Sequence, residues 1–230
     1  MAFLFTKQTI YVIVYLTLKG VKMKKDIVWS SENPEKKQSG EICGGENAGS
    51  SDHNQVTSSS NRIYFYSEVS RPKNLELNKM LVDTSDALKS RLDSFRMEGG
   101  EIFLHINSYG GSVMAGLSSV DYIRNSRVPV TTVIDGCAAS AATLMSVVGA
   151  RRLMHRHAYM LVHQLSSGLW GKYEELKDDM ENCDNFMKII KKIYQEHTNI
   201  PKTKLDQILK HDLWWDAETC LKYGLIDEII

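Results

Sequence analysis

A mostly parallel α/β sheet is the fold class this sequence predicts. Three observations carry that expectation. Short apolar runs of strand length alternate with stretches of helical periodicity, small-residue turns follow strands directly, and the alternation begins only after a polar N-terminal stretch. At 230 residues the chain can bury one core of ordinary size. Its composition divides it into an N-terminal extension, residues 1–61, and a globular domain, residues 62–230.

The extension reads in two parts. Residues 3–18 are apolar but interrupted by Lys7, Gln8 and Thr9, and the unbroken run 10–18 is far too short to span a bilayer. Taken as a signal peptide, it lacks a small-x-small cleavage site before Lys19. Met23-Lys24-Lys25 would open a cytosolic protein equally well, and a cytoplasmic location is the expectation. Residues 30–61 hold Ser, Gly, Asn, Glu, Gln and Lys with hardly a large apolar side chain. Such a stretch buries too little surface to offset its ordering entropy, which predicts a disordered tail or linker.

From Arg62 the pattern turns globular. Residues 63–66 form a short apolar strand, and Leu77, Met80, Leu81, Leu88, Leu92 and Phe95 recur at helical spacing until Gly99-Gly100 end the helix. A strand at 102–106, a glycine loop at 107–112 and a helix at 113–125 come next. Residues 130–134 are a buried strand, followed by a turn at Ser140 and an alanine-rich helix to Val148. Residues 159–163 make another strand, and 172–197 one long amphipathic helix that Ile200-Pro201 breaks. Asp216 caps a last short helix, Gly224 closes it, and residues 226–229 return as a strand.

Composition excludes several functions. Twenty-eight basic residues balance 28 acidic ones, so no field draws the chain to nucleic acid or an anionic membrane. Cys43, Cys137, Cys183 and Cys220 are scattered without a Cys-x-x-Cys pair, which fits free thiols better than disulfides or zinc. His155 and His157 lack a carboxylate or cysteine at ligand spacing, so no metal is expected. Neither Gly-x-Gly-x-x-Gly nor Gly-Lys-Ser/Thr appears, and no cofactor is implied.

Ser140 stands among glycine and alanines directly after an apolar strand. Small neighbours there admit a substrate backbone and leave main-chain N–H groups exposed, as a nucleophile needs. A tight turn before a close-packed helix would look the same in isolation. The loop Asn107-Ser108-Tyr109-Gly110-Gly111-Ser112 offers a backbone surface. Gly111 N–H is placed to join Ala141 N–H around an oxyanion, and Gly110, Gly111, Ser112 and Val113 to pair with an extended peptide. His163 ends an apolar strand and Asp212 precedes bulky aromatics; alone, each would be an ordinary structural or surface residue.

Together these blocks resemble ClpP, the self-compartmentalised serine peptidase family of the Clp system. The matching segments are Ile106-Asn107-Ser108-Tyr109-Gly110-Gly111-Ser112-Val113, then Gly136-Cys137-Ala138-Ala139-Ser140, and Met160-Leu161-Val162-His163-Gln164. The fourth runs from Asp212-Leu213-Trp214-Trp215-Asp216-Ala217-Glu218 to Tyr223-Gly224-Leu225-Ile226-Asp227. Four blocks in the family's order outweigh any one of them. The resemblance implies a ClpP/crotonase-like superhelix of β-α units with a protruding handle helix, here residues 172–197. It implies Ser140 as nucleophile, His163 as general base and Asp212 as the acid that orients the imidazole, with Asp206 and Asp216 as fallbacks. It also implies peptide or unfolded-protein substrates, a homo-oligomer of stacked heptameric rings, and an AAA+ ATPase unfoldase as partner.

Two departures stand out. The family's axial-gate segment is not recognisable at the N-terminus. Where the family seats its ATPase on apolar side chains, Phe103 and Val133 are accompanied by His105 and Asp135, a poorer socket for an apolar loop. Altered partner docking is therefore expected. The alternatives are a phage-type head maturation protease of the ClpP-like group, a crotonase-fold acyl-CoA enzyme, and a silent ring subunit. The last two are disfavoured by the complete Ser140, His163 and Asp212 set.

Overall fold

The computed structural model describes residues 55–230 and, for their backbone alone, Val28–Trp29. The expectations for the apolar leader and for most of the linker lie outside the described residues. Strand β1 is Val28–Trp29, and the sheet proper begins with β2 (Gln55–Ser59) and β3 (Arg62–Tyr66), an antiparallel hairpin. The expected disorder up to Asn61 is thus corrected. β2 is an edge strand whose single buried residue is Val56, so its Ser, Thr and Gln face water.

After the hairpin, α1 (Arg71–Phe95), β4 (Ile102–Ser108), β5 (Gly111–Ser112), α2 (Val113–Arg124) and β6 (Val130–Ala139) follow in turn. Then come α3 (Ala141–Val147), β7 (Arg151–Met154) and β8 (Tyr159–Leu161). The chain ends with α4 (Tyr173–His197), α5 (Lys202–Ile208), β9 (Trp214–Trp215), α6 (Ala217–Lys222) and β10 (Glu228–Ile229). The main sheet has the order β10-β7-β6-β4-β3-β2, with β8 joined to β6 and β9 to β8, and it is parallel except at the β2–β3 and β8–β9 pairs. Its strands Ile102, Leu104, Ile106, Val130 and Ile134 are almost wholly buried, as a sheet covered on both faces requires.

Several boundaries differ from expectation, each for a local reason. α1 stops at Phe95 because Arg96 adopts a left-handed conformation (φ 52) and returns its N–H to Asp93 and Leu92, ahead of the Gly99-Gly100 pair. Pro201 ends nothing beyond the break: it is the N-cap of α5, where a missing N–H costs no bond. His155 and His157 lie in the turn between β7 and β8.

The decisive irregularity is in β6. Its first half, Thr131 to Ile134, pairs with β7, while Cys137 to Ala139 pair with β8. Its register against β4 shifts between Ile106 and Ser108. Asn107 Oδ1 accepts from Cys137 N–H at 3.3 Å at the bend, and any Cβ at Gly136 would stand 3.1 Å from that oxygen. β6 therefore changes neighbours midway, and the ends of β6 and β8 come to lie side by side. α4 buries only Ile190, Ile193 and Tyr194, with Met187 packed partly buried against the core, so its first three turns project from the domain.

Candidate active site

Ser140 follows β6 directly, and its N–H donates to the Leu161 carbonyl at 2.9 Å, extending the β6–β8 pairing by one residue. Its backbone is at φ 58, ψ −129, a region a side-chain-bearing residue rarely visits. Holding it there costs about 1–3 kcal/mol, which the surrounding packing must supply. The Ser140 carbonyl accepts from Thr143 N–H at 3.0 Å and from Thr143 Oγ1 at 2.6 Å. Thr143 in turn meets the hydroxyl of fully buried Tyr194 on α4. Burial pushes the Tyr194 phenol well above its ordinary value, so it remains a neutral hydrogen-bonding group. Thr143 and Tyr194 went unread in the sequence, where Tyr194 is merely one more member of the apolar stripe.

The glycine loop lies against this elbow. A Cβ on Gly110 would sit 2.5 Å from Ser140 Cβ and 2.7 Å from the Ala139 carbonyl; one on Gly111 would sit 2.3 Å from the Val69 carbonyl. Both residues have positive φ (96 and 143), so only glycine fits. Val69 N–H donates to Gly110 C=O at 2.8 Å and Ser112 N–H to Val69 C=O at 2.7 Å. Alternate residues of an extended segment point to opposite edges, so Gly111 N–H and C=O face away from Val69. On that second edge the backbone of β1 pairs antiparallel, Val28 opposite Ser112 and Trp29 opposite Gly111. Ala141 opens α3, so its N–H belongs to the first helical turn, which has no intrahelical acceptor. The Ser112 hydroxyl caps α2 by accepting from Ala115 N–H at 3.4 Å, and the Val113 side chain is buried.

His163 lies two residues past β8, and Gln164 N–H anchors the segment to the Leu209 carbonyl at 2.8 Å. Its Nδ1 stands 2.9 Å from Asp212 Oδ1, with the imidazole side chain 4% exposed and the carboxylate 64%. Burial draws the His163 pKa below its usual 6.5, and the Asp212 charge and hydrogen bond oppose that shift without cancelling it. The ring is therefore neutral at pH 7, as a proton acceptor must be. The fallback acids are engaged elsewhere: Asp206 with Lys191 at 2.7 Å, and Asp216 with Thr219 N–H at 2.9 Å as the cap of α6.

A second polar group lies on the same sheet. His105 Nδ1 meets Asp135 Oδ1 at 2.9 Å, Tyr66 OH donates to Asp135 Oδ2 at 2.6 Å, and His155 Nε2 is 3.4 Å from Oδ1. Burial works against the Asp135 charge, but hydrogen bonds from His105 and Tyr66 outweigh it and hold the carboxyl below its ordinary range. Asp135 is thus well satisfied within its own chain. Among the described residues, no group of three His, Cys, Asp or Glu is arranged to hold a metal, and no helix is long and apolar enough to cross a membrane.

Residues 85–230 match the model of the Clp protease family. The chain is 33% identical over 132 residues to an ATP-dependent Clp protease proteolytic subunit of Deinococcus radiodurans, covering 56% of this chain and 65% of the relative. Proteolytic subunit 1 of Streptomyces avermitilis is 34% identical over 132 residues, 61% of its length. A third relative, from Streptococcus mutans, is 35% identical over 134 residues, 68% of its length. The chain thus spans less than two thirds of the first two relatives. A solved ClpP1 point mutant from Listeria monocytogenes superposes with a TM-score of 0.64 at 21% identity, over 74% of this chain and 91% of that one. That likeness establishes the ClpP/crotonase-like fold.

Proposed function

Since the chain belongs to the Clp protease family, we propose that it is a serine endopeptidase whose reacting groups are Ser140, His163 and Asp212. The observation that carries the reading is the His163–Asp212 pair at 2.9 Å just past β8, the strand hydrogen-bonded to the strained Ser140 elbow. An alcohol of high pKa needs an adjacent base, and an imidazole needs an anion to hold its tautomer. Ser140 Oγ attacks the amide carbon while His163 takes its proton. Asp212 keeps Nδ1–H in place and stabilises the imidazolium that forms. The tetrahedral oxyanion is met by Gly111 and Ala141 N–H groups, and His163 then gives its proton to the departing amine. Water repeats the sequence on the acyl-enzyme. These proton transfers call on side chains of the chain alone, and no cofactor enters the proposal.

Substrates would be peptides or unfolded proteins, paired as an added antiparallel strand along Gly110, Gly111, Ser112 and Val113. Support for assembly comes from α4. Leu176, Met180 and Cys183 recur at helical spacing on its projecting turns, an apolar stripe of which no member is buried. We therefore assign α4 to contacts between copies, as in stacked heptameric rings, with an AAA+ unfoldase feeding the chamber from the cytoplasm. A fluorophosphonate probe tests the chemistry: it is expected to label the wild-type chain at Ser140 and to spare Ser140→Ala. Labelling elsewhere, or none by any assembled form, would remove Ser140 from the mechanism. Mass measurement of the particle tests the assembly, and an active monomer would contradict it.

A further inference from the structure

We propose that Tyr109 and Trp214 form an aromatic subsite for the leaving-group side of the substrate, selecting aromatic or large apolar residues just after the cleaved bond. The inference rests on the peptidase reading above and concerns its specificity. Tyr109 immediately precedes Gly110, whose position abuts Ser140. Trp214 lies two residues after Asp212 and pairs with Leu161, two residues before His163. Two rings from separate segments thus meet beside the reacting groups, with centroids 6.3 Å apart and planes at 88°. Both are open to solvent, Tyr109 at 69% and Trp214 at 43%. Exposed rings of this size, brought together by neither the core nor a helix face, provide a surface that a third apolar group would complete.

The direction of the peptide decides which side of the bond they read. Gly111 N–H is the proposed oxyanion donor, so the residue opposite Gly111 supplies the attacked carbonyl. In an antiparallel partner, earlier residues run toward Ser112 and Val113, and later ones past Gly110 toward Tyr109. The backbone of β1 already lies on this edge in that sense, Val28 opposite Ser112 and Trp29 opposite Gly111. The first two residues after the cleaved bond therefore reach the Tyr109–Trp214 pair. The acyl-side residues do not.

The test uses the full-length chain and two peptides identical up to the cleaved bond, followed by Phe-Phe or by Ser-Ser. Both are supplied together and the products counted by mass spectrometry. Wild type is expected to favour the aromatic peptide by about three- to tenfold, the range of one added aromatic contact. Tyr109→Ala or Trp214→Ala should bring the ratio toward one, and Tyr109→Phe or Trp214→Phe should keep most of it. Binding of the same labelled peptides to Ser140→Ala, followed by anisotropy, gives a readout independent of turnover. Equal cleavage and equal binding overturn the subsite. Peptides that bind with the aromatic preference yet remain uncut by wild type overturn the peptidase reading instead.

Discussion

His163 with Asp212 and His105 with Asp135 are the same pair chemically, imidazole Nδ1 to carboxylate Oδ1 at 2.9 Å in both. What differs is the other edge of each ring. At His105, Nε2 lies 2.9 Å from Arg62 Nη1. A guanidinium can only donate, so Nε2 must accept and Nδ1–H must point to Asp135. The ring is further stacked on Tyr64 at 4.6 Å. His105 is thus committed on both edges and has no lone pair to offer a substrate. His163 stands instead two residues past β8, the strand whose Leu161 carbonyl accepts from the N–H of Ser140, a serine in a strained conformation. In the proposed mechanism a histidine–aspartate pair serves as a base only where its remaining nitrogen is left to take a proton, which Arg62 prevents at His105.

Substitutions can break this contrast at several depths. Ser140→Ala cuts deepest, and peptide turnover is expected to fall about a millionfold, as when one member of a cooperating triad is lost. Asp212→Asn should lower kcat by about ten-thousandfold through the wrong imidazole tautomer. Asp135→Asn, by contrast, should alter kcat less than about twofold while costing about 1–3 kcal/mol of stability, read by urea unfolding. Comparable kcat losses in the two Asp→Asn variants would erase the distinction drawn here.

Gly110→Ala comes next. Its Cβ collides with Ser140 and the Ala139 carbonyl at a positive φ, so a loss of at least about a hundredfold in kcat is expected, the scale of a small misplacement of reacting groups. The pH profile sharpens the comparison more gently. Because burial lowers the His163 pKa, the acid limb of kcat/KM for peptides should have its midpoint below 6.5. The same shift has a stability counterpart. Burying the neutral ring contributes fully above pH 6.5, and that contribution is lost as pH falls through the lower folded value. An acid limb centred above 6.5 would mean that Asp212 outweighs burial. Tyr194→Phe is the mildest change. It removes one hydroxyl from the support of Thr143, with an expected cost of about 1 kcal/mol in thermal unfolding.

Local pattern made much of this molecule readable in advance. Apolar runs marked β4, β6 and β8, and helical spacing marked α1 and α4, because both periodicities are properties of a few consecutive residues. Elements too short or too polar for that logic escaped: β2 with its Gln, Thr and Ser, the two-residue β9, and α5 behind Pro201. The glycines at 110 and 111 were legible as backbone requirements, but their reason was not. It lies in Ser140 and Val69, which reach them only through folding.

By itself the sequence determined which groups of suitable chemistry exist and at which strand ends they stand, since side-chain type and local periodicity are written residue by residue. Only the tertiary structure decided which aspartate meets His163 while Asp206 and Asp216 are drawn elsewhere. It likewise decided that β6 exchanges β7 for β8 at Asp135-Gly136, and that Tyr109 meets Trp214. Those outcomes come from strand register and the packing of distant segments, and no window of neighbouring residues contains them.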